Sequence, residues 1–74
     1  MEMRISKDKS NYNMLISNSI LGRKEKFKYE DIKRDICKLL SEMNDDIENM
    51  IKQALIRMRE DGLIRVFMYD YWVV

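Results

Sequence analysis

The sequence predicts one α+β domain in which three helices precede a C-terminal β-hairpin. Upstream of Gly62, apolar residues recur at three- and four-residue intervals, which is the periodicity of amphipathic helices. Downstream of it, the segment LIRVFMYDYWVV is dense in β-branched and aromatic residues, which favour strands. Gly62 can adopt the left-handed backbone conformation that ends many helices, so we place the junction of helix and hairpin there.

Composition limits the kind of protein this is. A chain of 74 residues forms one domain with a marginal core, and small domains often gain stability by oligomerisation, so we expect a homodimer. Charged residues make up 36% of the chain, but the formal net charge is only +1. Any binding of nucleic acid must therefore depend on where the charges lie rather than on their total.

Cysteine content and hydropathy favour a cytoplasmic protein. Cys37 has no second cysteine to pair with, as is usual in a reducing compartment, and it flanks a predicted buried helix face, where we expect it to pack as a small residue. The N-terminal MEMRISKDKS lacks the apolar core of a signal peptide. No segment reaches the roughly 20 apolar residues of a membrane span, so no membrane association is expected.

The first nine residues are predicted to form a flexible polar arm, and the domain to cover residues 10–74. The first helix spans residues 11–21. Ser10 is suited to its N-cap position, and Gly22 to its C-terminal end. The apolar residues predicted to face the core are Tyr12, Leu15, Ile16 and Ile20.

A basic linker, RKEKFK, joins the first helix to the second. Its one large apolar residue is Phe27, and we expect a short strand here that buries the ring. The second helix, YEDIKRDICKLL at residues 29–40, has Glu30 and Asp31 in its first turn, where carboxylates complement the helix dipole. Its predicted buried residues are Ile32, Ile36, Leu39 and Leu40.

The third helix, about residues 45–61, has the best-defined apolar face. Asn44 or Asp45 caps its start, and Glu48 stands three residues after Asp45, at the spacing of a capping box. Beyond it, Leu63 and Ile64 are predicted to return into the core, and a tight turn near residues 69–70 joins two strands. The helix residues predicted to be buried are Ile47, Met50, Ile51, Ala54, Leu55 and Met58.

The order of these elements and three segments resemble the winged helix-turn-helix family of DNA-binding proteins. FKYEDIKRDI is similar to the family's short first strand entering its second helix, and IKQALIRMREDGLI is similar to its recognition helix ending on an acidic-Gly-Leu-Ile corner. YWVV resembles the returning wing strand. The resemblance covers residues 11–74 and implies a winged helix with a short strand before the second helix and a two-stranded C-terminal wing. It also implies that the third helix lies in the major groove of double-stranded DNA.

The side chains that this resemblance points to are polar groups on the outer face of the third helix and the cations around it. Asn and Gln can pair with adenine and Lys can reach guanine, so the candidates for base contacts are Asn49, Lys52 and Gln53. The same polar residues are also typical of a solvated surface, and that alternative stays open. Candidates for phosphate contacts are Arg23, Lys24, Lys26, Lys28, Arg57, Arg59 and Arg65.

Two features argue against DNA. The third helix starts with Asp45, Asp46 and Glu48, which repel phosphates, although helix capping also accounts for them. The predicted tip of the hairpin has no cation. A protein interface is the alternative, because a short hairpin cannot bury all of its aromatic residues and aromatic residues are typical of such contacts. The interface candidates are Ile56, Tyr69 and Tyr71.

Catalysis is not expected, and neither is a cofactor or a metal. The chain has no histidine, which removes the usual general base and most zinc sites, and its two glycines cannot form a phosphate-binding loop. We therefore expect a dimeric, sequence-specific DNA-binding protein, either a small transcriptional regulator or a centromere-binding adaptor of plasmid partition. The alternative is a winged-helix module for protein–protein contact, or a small subunit of a larger complex.

Overall fold

The computed structural model describes residues 9–74, in which three helices are followed by an antiparallel hairpin. Helix α1 spans Lys9–Leu21, α2 spans Tyr29–Leu40 and α3 spans Asp45–Glu60; the strands are β1, Ile64–Phe67, and β2, Asp70–Val73. This is the predicted α+β layout, and it is that of a winged helix. The predicted arm lies outside the described residues except for Lys9, which begins α1. Ser10 therefore lies within the helix and does not cap it.

The core lies where the three helices meet the start of β1. Helical periodicity predicted most of it correctly. Three predictions were wrong: Leu39, Leu63 and Cys37 are exposed. On α2 the inward direction passes between Ile36 and Leu40, so Leu39 and Cys37 fall on either side of the buried stripe. The buried residues are Tyr12, Ile16, Ile20, Phe27, Ile32, Ile36, Ile47, Ile51, Ala54, Leu55, Met58 and Ile64.

The expected strand before α2 is reduced to a single β-bridge. Phe27 donates its N–H to the carbonyl of Tyr71 at 2.8 Å and accepts the N–H of Tyr71 at 2.7 Å. A second pair cannot follow, because Lys28 is already the N-cap residue of α2, where the N–H of Lys28 is bound by the Asp31 carboxylate at 3.0 Å. The Phe27 ring is buried as predicted.

Helix α3 is capped by Asn44, whose Oδ1 accepts the N–H of Ile47 at 2.9 Å. The alternative cap, Asp45, is the first residue of the helix, so the predicted capping box with Glu48 does not form. Instead the Glu48 carboxylate pairs with Nζ of Lys33 at 3.1 Å, which ties α3 to α2. The carboxylate that the sequence assigned to a local cap is therefore used in a tertiary contact.

Helix α3 ends at Gly62 in the predicted way. Gly62 has a φ of +80°. Its N–H binds the carbonyl of Arg59 at 3.1 Å, and the N–H of Leu63 binds the carbonyl of Met58 at 2.9 Å. This pair of hydrogen bonds is a Schellman motif, which satisfies carbonyls that a helix end leaves free and turns the chain directly into β1.

The hairpin pairs Ile64 with Val73, Arg65 with Trp72, Val66 with Tyr71 and Phe67 with Asp70. Its two-residue turn is Met68–Tyr69, one residue earlier than predicted, and Met68 has a φ of 58°. Since side chains alternate along a strand, Ile64 and Val66 lie with their cross-strand partners on the inner face of the hairpin. Arg65 and Phe67 lie with their partners on its outer face.

Candidate nucleic-acid interface

The outer arc of α3 is exposed along its whole length. It carries the three predicted base-contact residues, and their neighbours divide them into two groups. Asn49 and Gln53 line a groove between α3 and α1, together with Arg57. Lys52 lines a different groove toward the hairpin, and its Nζ lies 5.8 Å from the centre of the Tyr29 ring. The exposed residues of the arc are Asp45, Asn49, Lys52, Gln53, Ile56 and Glu60.

Three of the four predicted linker cations already have partners in the fold. Arg23 forms an ion pair with Asp35 of α2. Lys28 pairs through Nζ with Oδ1 of Asp70 at 2.6 Å, and Nζ of Lys26 lies 5.4 Å from the centre of the Trp72 ring. The linker cations thus fasten the linker to α2 and to the hairpin. To contact a phosphate, these side chains would have to share their charge with the groups that they already contact within the fold. Such phosphate contacts remain a prediction.

The Lys28–Asp70 pair changes the pKa of both groups. The hydrogen bond and the charge of Asp70 raise the pKa of Lys28, and the same hydrogen bond lowers the pKa of Asp70. The N–H of Lys28 also lowers the pKa of Asp31. Both carboxylates are therefore ionised at neutral pH, and Lys28 is held at the joint between the linker, α2 and the hairpin.

Five of the seven predicted phosphate-contact cations form no ion pair with any residue from 9 to 74: Lys24 and Lys26 in the linker, Arg57 and Arg59 on α3, and Arg65 on β1. Arg59 and Arg65 line one groove, and Arg59 shares the neighbouring groove with Lys52. Lys52, Arg59 and Arg65 therefore lie on the hairpin side of α3, whereas Arg57 lies on the side toward α1. Residues 52–65 contain four cations and two carboxylates.

The acidic start of α3 and Arg59 lie at opposite ends of the helix. Three carboxylates are concentrated in residues 45–48, whereas Arg59 follows Asp45 by 14 positions. At 1.5 Å per residue, about 21 Å of helix separates them, which exceeds twice the screening length of about 8 Å at physiological salt. The two ends of α3 therefore present separate electrostatic fields to an approaching partner.

The aromatic residues of the hairpin differ in how far they are buried. Tyr71, predicted as an interface residue, is half-buried, and its ring stacks on Phe27 with centres 5.7 Å apart and an interplanar angle of 13°. Tyr69 and Ile56 are exposed, as an interface requires. Sequence reasoning missed Phe67 and Met68, which are also exposed. The alternation that places Phe67 on the same face as Arg65 was the available signal.

Tyr29 lies at the centre of the surface between α2, α3 and the hairpin. It lines two adjoining grooves, one with Lys52 and Arg59 and one with Lys28 and Tyr69. Its hydroxyl is buried without a hydrogen-bond partner among residues 9–74, and burial raises its pKa. The ammonium group of Lys52 therefore lies over the Tyr29 ring.

No group of three or more Cys, Asp or Glu side chains within the described part of the chain is placed to hold a metal ion. None of the three helices in that part is both long and apolar enough to cross a bilayer. Comparison of the chain with models of protein families, with characterised proteins and with solved structures gave no match. Geometry and charge are therefore the basis for any functional proposal.

Proposed function

We propose that the protein is a sequence-specific DNA-binding protein that acts as a dimer and places α3 in the major groove. A small transcriptional regulator or a binder of a partition site are the two roles we consider. The observation that carries the proposal is that cations without an ion pair flank the exposed arc of α3 on both sides, Lys52 and Arg59 toward the hairpin and Arg57 toward α1. Such cations gain the most from phosphates, because they lose no intramolecular ion pair on binding.

The charge distribution suggests which part of α3 approaches the bases. The first turn carries three carboxylates and is repelled by phosphates. Asn49 follows Asp45 by four residues, about 6 Å along the axis, and lies within that negative field. Lys52 and Gln53 lie further along the helix, and Glu48, the carboxylate nearest to them in sequence, is already paired with Lys33 of α2. We therefore propose that Lys52 and Gln53 read bases and that Arg57 and Arg59 contact the flanking phosphates.

A salt titration of binding to duplex DNA tests the proposal. The logarithm of the affinity should fall linearly with the logarithm of salt concentration, and each phosphate contact removed should reduce the slope by about 0.9. Arg57→Ala and Arg59→Ala should each show this reduction. Lys38→Ala is the matched control, since Lys38 is an exposed cation on α2 that lines the groove between α1 and α2. Lack of any binding at low salt contradicts the proposal.

Sequence preference needs a separate measurement. Selection from a random duplex library should yield a defined site for the wild type, and Gln53→Ala should relax the preference at one base pair while leaving the salt slope unchanged. If Lys38→Ala lowers affinity as much as Arg59→Ala, the binding is general electrostatic attraction. If no site is enriched, the sequence-specific part of the proposal fails.

A second candidate function is a protein–protein contact module. The exposed tip of the hairpin, Phe67, Met68 and Tyr69, favours it, because contiguous exposed apolar residues are characteristic of interaction sites. Under this alternative, Tyr69→Ala abolishes partner binding while the affinity for DNA stays absent or unchanged. Tyr71→Ala is unsuitable for this test, since Tyr71 is bridged to Phe27 within the fold.

A further inference from the structure

Strand β1 has an open edge. The N–H and C=O of Tyr71 are both bound to Phe27, on the side of β2 that faces away from β1. In an antiparallel pair, residues that exchange hydrogen bonds alternate with residues that do not, so Tyr71 and its partner Val66 form a non-hydrogen-bonded pair. The backbone groups of Val66 therefore point away from β2. No residue between 9 and 74 binds them.

Space for another strand lies beside that edge. A groove of about 490 Å³ is lined by all four residues of β1 together with Arg59, Gly62 and Trp72. An open edge with free N–H and C=O groups is a template for a further strand, and proteins that do not use such an edge generally cover or block it. Neither a proline nor a bulge blocks this one.

The side chains on the outer face of this strand are exposed at every second position. Leu63, Arg65 and Phe67 are all exposed, and they alternate with the inward-facing Ile64 and Val66. One cation and two apolar groups thus stand in a row without neighbours on the side of the open edge. An occupant of the groove must complement this row.

We propose that the occupant is β1 of a second copy, paired antiparallel about a two-fold axis at Val66, so that two hairpins form one four-stranded sheet. Val66 then exchanges backbone hydrogen bonds with the partner's Val66. Arg65 lies opposite the partner's Phe67, where a guanidinium over an aromatic ring is favourable. The row of exposed side chains is complementary to itself, which is the property that a two-fold interface requires.

The competing register is excluded by charge. Backbone hydrogen bonds can also form about a two-fold axis at Arg65, since Ile64 and Val66 then face each other. That register places Arg65 directly opposite the partner's Arg65, and like charges at opposed positions destabilise a sheet. The proposal rests on the dimeric state proposed above but not on DNA binding, and it names the surface that forms the dimer. Arg65 then serves the dimer rather than a phosphate, and Arg59 can still reach phosphates from the groove that it shares with Lys52.

Val66→Pro tests the edge directly. Proline at this position removes only an N–H that points outward, so the hydrogen bonds within the hairpin are retained. Val66→Thr is the matched control, because it keeps the N–H and a β-branched side chain. By sedimentation velocity, the wild type and Val66→Thr should be dimers, and Val66→Pro should be a monomer with an unchanged far-UV circular dichroism spectrum.

The outcomes separate the two proposals. A wild-type protein that is monomeric at high micromolar concentration overturns both the dimer and its interface. A Val66→Pro variant that is still dimeric overturns this interface and leaves the dimer in place. DNA binding is measured independently by the salt titration, so its failure does not bear on the sheet.

Cysteine cross-linking tests the register, and it also decides the proposal if Val66→Pro fails to fold. In a Cys37→Ser background, Val66→Cys places two thiols on Cα atoms about 5.5 Å apart, within disulfide range. Arg65→Cys places them on diagonal positions about 7–8 Å apart, which is too far. Mild oxidation should cross-link the first variant and not the second. Cross-linking of both, of neither, or of Arg65→Cys alone overturns the proposal.

Discussion

Aromatic residues lie at two places on the hairpin that differ in burial: the bridge of Tyr71 to Phe27 of the linker, here called the base, and the turn with Phe67 and Tyr69, here called the tip. At the base, the Phe27 ring is 2% exposed, and Tyr71 stacks on it and bridges to its backbone. At the tip, Phe67, Met68 and Tyr69 are 69%, 77% and 80% exposed. The difference is whether another element lies opposite: the linker and helices cover the base, and nothing among residues 9–74 covers the tip. Aromatic density therefore predicts the strand but not what its side chains contact.

The largest expected effect is that of Phe27→Ala compared with Phe67→Ala. Truncating a buried phenylalanine costs about 3–5 kcal/mol, which is a large share of the roughly 4–11 kcal/mol expected for a domain of this size. Truncating the exposed Phe67 should change the free energy of unfolding by less than about 0.5 kcal/mol. Urea denaturation measures both, at a protein concentration where the two variants have the same oligomeric state. Equal losses would mean that tip and base do not differ in packing.

A smaller difference is expected between the two tyrosines. Tyr71 is half-buried and stacked, so Tyr71→Ala should cost about 2 kcal/mol, less than a fully buried ring but more than a surface residue. Tyr69→Ala should cost less than about 0.5 kcal/mol. Tyr71→Phe is the control, since it keeps the stacked ring and should stay close to the wild type. A large loss from Tyr71→Phe would assign the stabilisation to the hydroxyl rather than to the ring.

Local signals explain what the sequence predicted well. Helical spacing is repeated within each segment, so the three helices and most of the core, such as Ile47 and Ile51, follow from it. Gly62 predicts the end of α3 because glycine readily adopts the left-handed conformation. The exposed arc of α3 follows from the same periodicity, which is why Asn49 and Lys52 are on the surface as predicted.

What the sequence missed depends on neighbouring elements. Glu48 pairs with Lys33 of α2 rather than with the start of its own helix, and whether Leu39 is buried depends on the direction in which α2 meets the core. The Lys28–Asp70 pair joins residues 42 positions apart, and no local pattern indicates it. The partners of the other linker cations could not be predicted from the sequence for the same reason. Long-range contacts therefore decided which predicted phosphate ligands are free and which are engaged.

The Lys28–Asp70 pair connects the base of the hairpin to its tip. Because of this pair, the free energy of unfolding should decrease at low pH. Lys28 adjoins the bridged Phe27, and Asp70 is paired with Phe67 beside the turn. The folded pKa of Asp70 is lowered below 3.8, its ordinary value. A lowered folded pKa contributes stability above the unfolded pKa, and this contribution is lost as pH falls through the folded pKa. Asp31 behaves in the same way.

A double substitution separates the two carboxylates, because they use different atoms of Lys28. Asp70 accepts from Nζ, whereas Asp31 accepts from the backbone N–H. In a Lys28→Ala background, Asp70→Asn should alter the fall of melting temperature between pH 6 and pH 2.5 much less, since only the charge of Lys26 still lowers the pKa of Asp70, while Asp31→Asn should still reduce that fall. The effect of Asp70→Asn on stability should be smaller than those of Phe27→Ala and Tyr71→Ala. It should shrink in high salt, since the Lys28–Asp70 pair is exposed. If Asp70→Asn acts equally with and without Lys28, then the ion pair does not hold the tip to the base.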